Sequence, residues 1–254
     1  MDITHLVVNG CSWTYCEGLA HPDTQGWPAL LAKKLGVEFV NLAVPGCGND
    51  SIHRRTYEYV IENLPSGSKP LFIIAWSQYW RRESWYNELH GIKDFNDYSL
   101  ITIPPSGPRS NTERALLDNW NEIDFYRKTY LYKISLINLF ENNNIPYLMS
   151  DYADNHDTQV IKTIQDRFPN LVDMCLNNSK HLSPFYKITH DYPKTKCGHD
   201  GPEAQQVLSS YIKTELDNQY GSFNIVPGSF LTLNNFKISN TGDSIADRRL
   251  RYRP

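Results

Sequence analysis

Leu6-Val7-Val8-Asn9-Gly10-Cys11-Ser12-Trp13-Thr14-Tyr15-Cys16-Glu17-Gly18-Leu19 is the stretch on which the reading of the fold turns. A short run of apolar β-formers ends in a turn of small residues that carries one serine. Such a turn sets the hydroxyl at the C-terminal edge of a sheet, which is where open α/β folds bind their ligands. Ser12 also falls at the start of whatever helix follows, where free backbone N–H groups favour negative charge. That makes Ser12 a candidate nucleophile. A serine in a strand-to-loop turn serves equally well as a plain turn residue, so the decision rests on what else the chain brings to the same edge.

Three further segments end in the same way. Residues 37–43 read as a second strand and lead into Val44-Pro45-Gly46-Cys47-Gly48-Asn49-Asp50-Ser51. There Gly46 and Gly48 let the backbone approach a ligand, and Asn49 or Asp50 can cap the next helix. A third strand, residues 70–76, ends at Ser77-Gln78, and a fourth covers 145–150. Helical periodicity covers 29–35, 51–64, 119–143 and 157–168. It is clearest in Trp120, Ile123, Tyr130, Ile134, Ile137 and Phe140. Pro202 suits the first position of a last core helix, directly after Cys197-Gly198-His199-Asp200-Gly201. Strands joined by helices predict a three-layer α/β/α sandwich with a mostly parallel central sheet over residues 1–218.

In this order the pieces resemble the SGNH (GDSL-type) hydrolase family, whose fold is flavodoxin-like and whose four blocks supply a serine, a glycine, an asparagine and a histidine. Ser12 matches the first block, with Gly10-Cys11-Ser12 where the family usually has Gly-Asp-Ser. Gly46 matches the second and His199 the fourth. The third block departs: Ser77 or Gln78 stands where the asparagine belongs. Lys196 stands where the family often has an aspartate, three residues before the histidine. The resemblance spans residues 3–218. It implies a serine esterase or acyl hydrolase acting through an acyl-enzyme, with no cofactor and no metal.

The chemistry can also be argued from the residues. A serine attacks a carbonyl only if a base takes its proton, and histidine titrates near neutrality. His199 is the expected base, with His190 as its rival. The oxyanion is expected to meet the backbone N–H groups of Ser12 and Gly46, plus a side-chain donor from Ser77 or Gln78. A carboxylate normally orients the histidine. Asp191 is favoured for that role, with Asp200 or a backbone carbonyl as alternatives.

Residues 79–118 form a long excursion from the third strand end, rich in aromatics and closed by Ile103-Pro104-Pro105-Ser106-Gly107-Pro108. Trp76, Trp80, Trp85, Tyr86 and Asn49 are the expected contacts to a small or carbohydrate-linked ester. An acyltransferase, or a binding module whose catalysis has decayed, stays open beside the hydrolase.

Composition narrows the partners. The chain has 254 residues and a net charge of −3, which argues against a nucleic-acid binder. It has no apolar run of membrane-spanning length. Five cysteines at irregular spacings show no zinc pattern, and a cytoplasmic protein with reduced thiols is expected. The extension 219–254 contains Gly242-Asp243-Ser244, which spells the first motif without a preceding apolar strand and is read as a decoy.

Overall fold

A computed structural model describes residues 1–81, 121–152 and 158–226. Its strands are β1 (Asp2–Ile3), β2 (His5–Asn9), β3 (Glu38–Asn41), β4 (Pro70–Trp76), β5 (Tyr147–Asp151), β6 (His181–Leu182) and β7 (Asn224–Ile225). The helices are α1 (Ser12–Tyr15), α2 (Pro22–Gln25), α3 (Trp27–Leu35), α4 (Asn49–Asn63), α5 (Glu122–Asn142), α6 (Thr158–Arg167), α7 (Pro169–Leu176), α8 (Phe185–Thr189) and α9 (Pro202–Tyr220).

Every residue of β2, β4 and β5 is buried, as expected of parallel strands covered on both faces. The strands form one parallel sheet in the order β3-β2-β4-β5-β6. Alternate side chains feed two cores. Leu6, Val8, Leu71, Ile73 and Leu148 pack with Trp27 and Leu31 of α3 and with Leu208, Ile212 and Leu216 of α9. Val7, Phe72, Ile74, Tyr147 and Met149 face the other way, onto Ile52, Tyr59 and Val60 of α4 and Leu136 and Phe140 of α5. The three-layer α/β/α architecture with a mostly parallel sheet is therefore the one the sequence predicts.

Local chemistry sets the helix ends. Asn121 caps α5 by accepting from the Asp124 N–H at 3.1 Å. Pro202 opens α9, where a missing N–H costs nothing. From β2 the chain crosses to β3 on one side and then returns to β4 on the other. The strand order thus reverses between β2 and β4, and a crevice forms at their carboxyl ends.

Several boundaries differ from the sequence reading. The helix expected at 51–64 begins two residues earlier, at Asn49. The strand expected over 37–43 pairs only over Glu38–Asn41. Strand β6 and helices α7 and α8 have no counterpart in the sequence reading, being too short to show a period. The fold also runs past residue 218: α9 ends at Tyr220, and β7 pairs in parallel with β1. Most of the aromatic insertion, including Trp85 and Tyr86, and the tail from 227 lie outside the described residues.

Candidate active site

The turn that carries Ser12 is fixed from both sides. Asn9, the last residue of β2, donates from Nδ2 to Ile52 O (2.9 Å) and Thr56 Oγ1 (2.8 Å), and its Oδ1 accepts from the Gly10 N–H (2.8 Å). Gly10 has no room for a side chain: a Cβ there would lie 2.2 Å from Thr14 Oγ1 and 2.9 Å from Ala75 O. The chain then turns at Cys11, whose carbonyl accepts from the N–H groups of Thr14 (3.0 Å) and Tyr15 (2.9 Å). Ser12 is the first residue of α1 and is 5% exposed. Its Oγ makes no hydrogen bond among the described residues, so no structural partner holds the hydroxyl.

His199 lies in a loop that closes on itself. The Thr195 N–H donates to His199 O at 2.7 Å, and Gly201 N–H donates to Pro193 O at 3.0 Å. The loop packs on the Ser12 turn: the His199 ring sits 4.5 Å, centroid to centroid, from the Trp13 ring. Its Nδ1 lies 3.2 Å from Cys197 Sγ, and its Nε2 lies 3.7 Å from Glu17 Oε2. Burial pulls the pKa of His199 below its ordinary value, and Arg81 adds to that, while Glu17 and Asp200 oppose it. The ring is therefore neutral near pH 7, the form in which it can accept a proton. Neither ring nitrogen is bonded to Ser12 here.

The carboxylate beside His199 is Glu17. Helix α1 lasts one turn and ends at Cys16 in the left-handed region (φ 64°). This swings the next residue back, so that the Glu17 N–H donates to Ser12 O at 3.0 Å. Asp191, the expected orienter, is not in that place. It is exposed, and its Oδ1 lies 3.1 Å from Nε2 of its own neighbour His190. The segment before it is the helix α8. Asp200 is buried and accepts from Tyr152 OH (2.9 Å) and from Lys194 Nζ. The rival base His190 lies on the surface.

At the third strand end, Ser77 and Asn49 clasp each other. The Ser77 N–H donates to Asn49 Oδ1 (2.7 Å), and Asn49 Nδ2 donates to Ser77 O (3.1 Å) and Thr129 Oγ1 (3.2 Å). Asn49 is 2% exposed and both its amide hydrogens are spent. It ties α4 to β4 and α5 and is not among the residues lining the cavity described next. Trp76 is fully buried among the residues facing α4 and α5, so it too is core. Trp80 stands edge-on to Tyr79 (4.8 Å) and is not among the residues lining the cavity described next. Gly46 takes φ 78°, in the turn after β3.

A cavity of about 460 Å³ opens along the carboxyl ends of β2, β4 and β5. Cys11 and Trp13, on either side of Ser12, line it, together with Ser77, Gln78, Arg81, Tyr152, Tyr186, His190 and Lys194. Trp13 stacks on Tyr152 at 4.2 Å. Ser77 and Gln78 thus face the same space as the residues flanking Ser12. Among the described residues, no three His, Cys, Asp or Glu side chains are grouped to hold a metal ion, and no helix is long and apolar enough to cross a membrane.

The chain shares its three-layer α/β/α fold with a solved esterase structure. Its structure is similar to that of an active-site mutant of a family two carbohydrate esterase from Clostridium thermocellum. The two are 13% identical with a TM-score of 0.50, over 87% of this chain and 66% of the other. It is also similar to a psychrotrophic esterase from Pseudoalteromonas sp. (13% identity, 85% and 97% of the chains, TM-score 0.49). A GDSL-like lipase from Bacteroides thetaiotaomicron is similar as well (14% identity, 85% and 88%, TM-score 0.46). At these identities the likeness is one of fold. In sequence, a family of unknown function, DUF6071, matches residues 17–119, a span that contains neither Ser12 nor His199. No curated protein matches the chain.

Proposed function

We propose that this chain is a serine esterase that acts on a small or carbohydrate-linked acyl ester. The observation that carries the reading is the joining of the His199 loop to the Ser12 turn: Trp13 packs on the ring and Glu17, five residues after the serine, lies against its Nε2. In this reading His199 turns to Ser12 and takes its proton as Oγ attacks the acyl carbon. The backbone N–H groups of Ser12 and Gly46, with Gln78 or the Ser77 hydroxyl, receive the oxyanion. His199 then protonates the departing alcohol. Water, activated by the same ring, releases the acid and restores Ser12.

Glu17 replaces Asp191 as the group that steadies the imidazolium. The stacked Trp13 and Tyr152 offer a flat apolar wall of the kind a sugar ring packs against. The same fold occurs in a carbohydrate esterase, which supports an ester substrate. The five cysteines are all unpaired, as a reducing compartment such as the cytoplasm leaves them.

One contact favours a second reading. Cys197 Sγ lies 3.2 Å from His199 Nδ1, so the thiol rather than Ser12 would be the nucleophile. Hydrolysis of a 4-nitrophenyl ester by Ser12→Ala and Cys197→Ala separates the two. Activity lost in the first and kept in the second supports the serine. The reverse pattern moves the chemistry to Cys197, and no activity in the parent chain leaves a binding module.

A further inference from the structure

Charge is unevenly placed around the cavity. No carboxylate lines it among the described residues, whereas Arg81, Lys194 and His190 do. Two of these groups have acids beside them: Lys194 lies on Asp200 and His190 on Asp191. Arg81 does not. Its Nη1 donates to Ser77 Oγ at 3.3 Å, and its Nε is buried with no acceptor. No acidic partner reaches it among the described residues. A buried donor with no acceptor is unfavourable, and a guanidinium is suited to hold an oxyanion by two parallel bonds.

The main chain of Arg81 is held in place as well. Its N–H donates to Gln78 O at 3.1 Å. Its carbonyl lies so close to Gly48 that a Cβ there would approach it to 2.3 Å. The arginine is therefore fixed before any ligand arrives, beside the wall made by Trp13 and Tyr152.

We infer that this cavity binds an anionic ligand, with Arg81 receiving a carboxylate or phosphate group and Trp13 and Tyr152 packing against the ring that carries it. The inference deepens the esterase reading, on which it rests only in naming the ligand an ester. The substrate class becomes acyl esters of acidic sugars or sugar phosphates rather than of neutral ones.

Equilibrium binding to the full chain tests this without turnover. Tryptophan fluorescence and calorimetry would compare glucuronate, glucose and glucose 6-phosphate. At least one of the two anions is expected to bind about tenfold or more tighter than glucose, a difference of about 1.4 kcal/mol, with the preference shrinking as salt is raised. Glucuronate as the tighter ligand assigns the carboxylate, and glucose 6-phosphate as the tighter ligand assigns the phosphate. Arg81→Gln is expected to abolish the preference. Arg81→Lys keeps the charge but loses the fork, so it is expected to fall between, and it carries the test if the glutamine variant does not fold.

Equal affinity for glucose and both anions overturns the inference. So does an unchanged preference in the folded variants, or no binding of any of the three at millimolar concentration. Loss of esterase chemistry at Ser12 would leave these readouts untouched, so the two readings fail separately.

Discussion

The carboxyl ends of β5 and β4 lie side by side and treat charge in opposite ways. At the end of β5, Asp151 takes Lys133 Nζ on both oxygens (2.8 and 2.9 Å) and stands 3.2 Å from His181 Nε2. Lys133 and Asp151 are almost wholly buried. Burial alone would raise the pKa of Asp151, but Lys133 and His181 together hold it below the ordinary carboxylate range. That cluster is closed on itself. Beyond β4, Arg81 keeps a buried Nε with no acceptor and looks into a cavity without acids among the described residues. One cluster has spent its polar capacity on the fold, tying α5 to β5 and β6. The other has capacity left, and capacity left over at a sheet's switch point is what binding requires.

The contrast can be broken by mutation. The largest effect belongs to the open side. Ser12→Ala is expected to lower ester hydrolysis by about 10³-fold or more, the range seen when a nucleophile is removed from a triad, with thermal stability nearly unchanged. Next comes the closed side. Lys133→Ala leaves the buried Asp151 carboxylate with His181 alone beside it, and is expected to cost about 3–5 kcal/mol in urea unfolding. A loss under about 1 kcal/mol would show that the cluster is not closed in the sense argued here.

His5, at the far end of β2, sharpens the comparison as a buried group kept neutral. It is fully buried, between Thr4 Oγ1 and Tyr59 OH (both 2.7 Å), and burial pushes its pKa down to about 4. The unfolded chain takes up that proton near pH 6.5, the folded chain only near 4. Its contribution is therefore complete above about pH 6.5 and is lost as the pH falls towards 4, about 3 kcal/mol in all. Unfolding free energies measured from pH 7 to 4 should show this slope, and His5→Gln should flatten it. The smallest effects separate two carboxylates. Glu17→Gln is expected to slow hydrolysis about tenfold, because its contact with His199 is long and partly exposed. Asp191→Asn should stay within about threefold of the parent, since that carboxylate serves His190 at the surface.

Much of this architecture can be read in the chain. The apolar runs of β2 and β4 announce covered parallel strands, and the periodicity behind α5 survives into the structure. The turn at Gly10-Cys11-Ser12 is legible because a small residue is forced where Ala75 O and Thr14 crowd the backbone. What fails is direction. Trp76 and Asn49 do sit at strand and helix ends, but one side chain joins the core and the other clasps Ser77. For Trp76 the alternation already held the answer, since it shares parity with Phe72 and Ile74, which face α4 and α5. Glu17 was not legible, because a one-turn helix ended by a left-handed cysteine leaves no period. Asp191 lies on His190 instead, after α8, a helix too short to announce itself.

The central claim is that the crevice between β2 and β4 holds a reactive serine. Treatment of the full chain with a serine-directed fluorophosphonate, read by intact mass and then by peptide mapping, tests it most directly. The account predicts one adduct per chain, on Ser12, lost in Ser12→Ala and retained in Cys197→Ala. No adduct at Ser12, or an adduct that survives in Ser12→Ala at an equal rate, would contradict it.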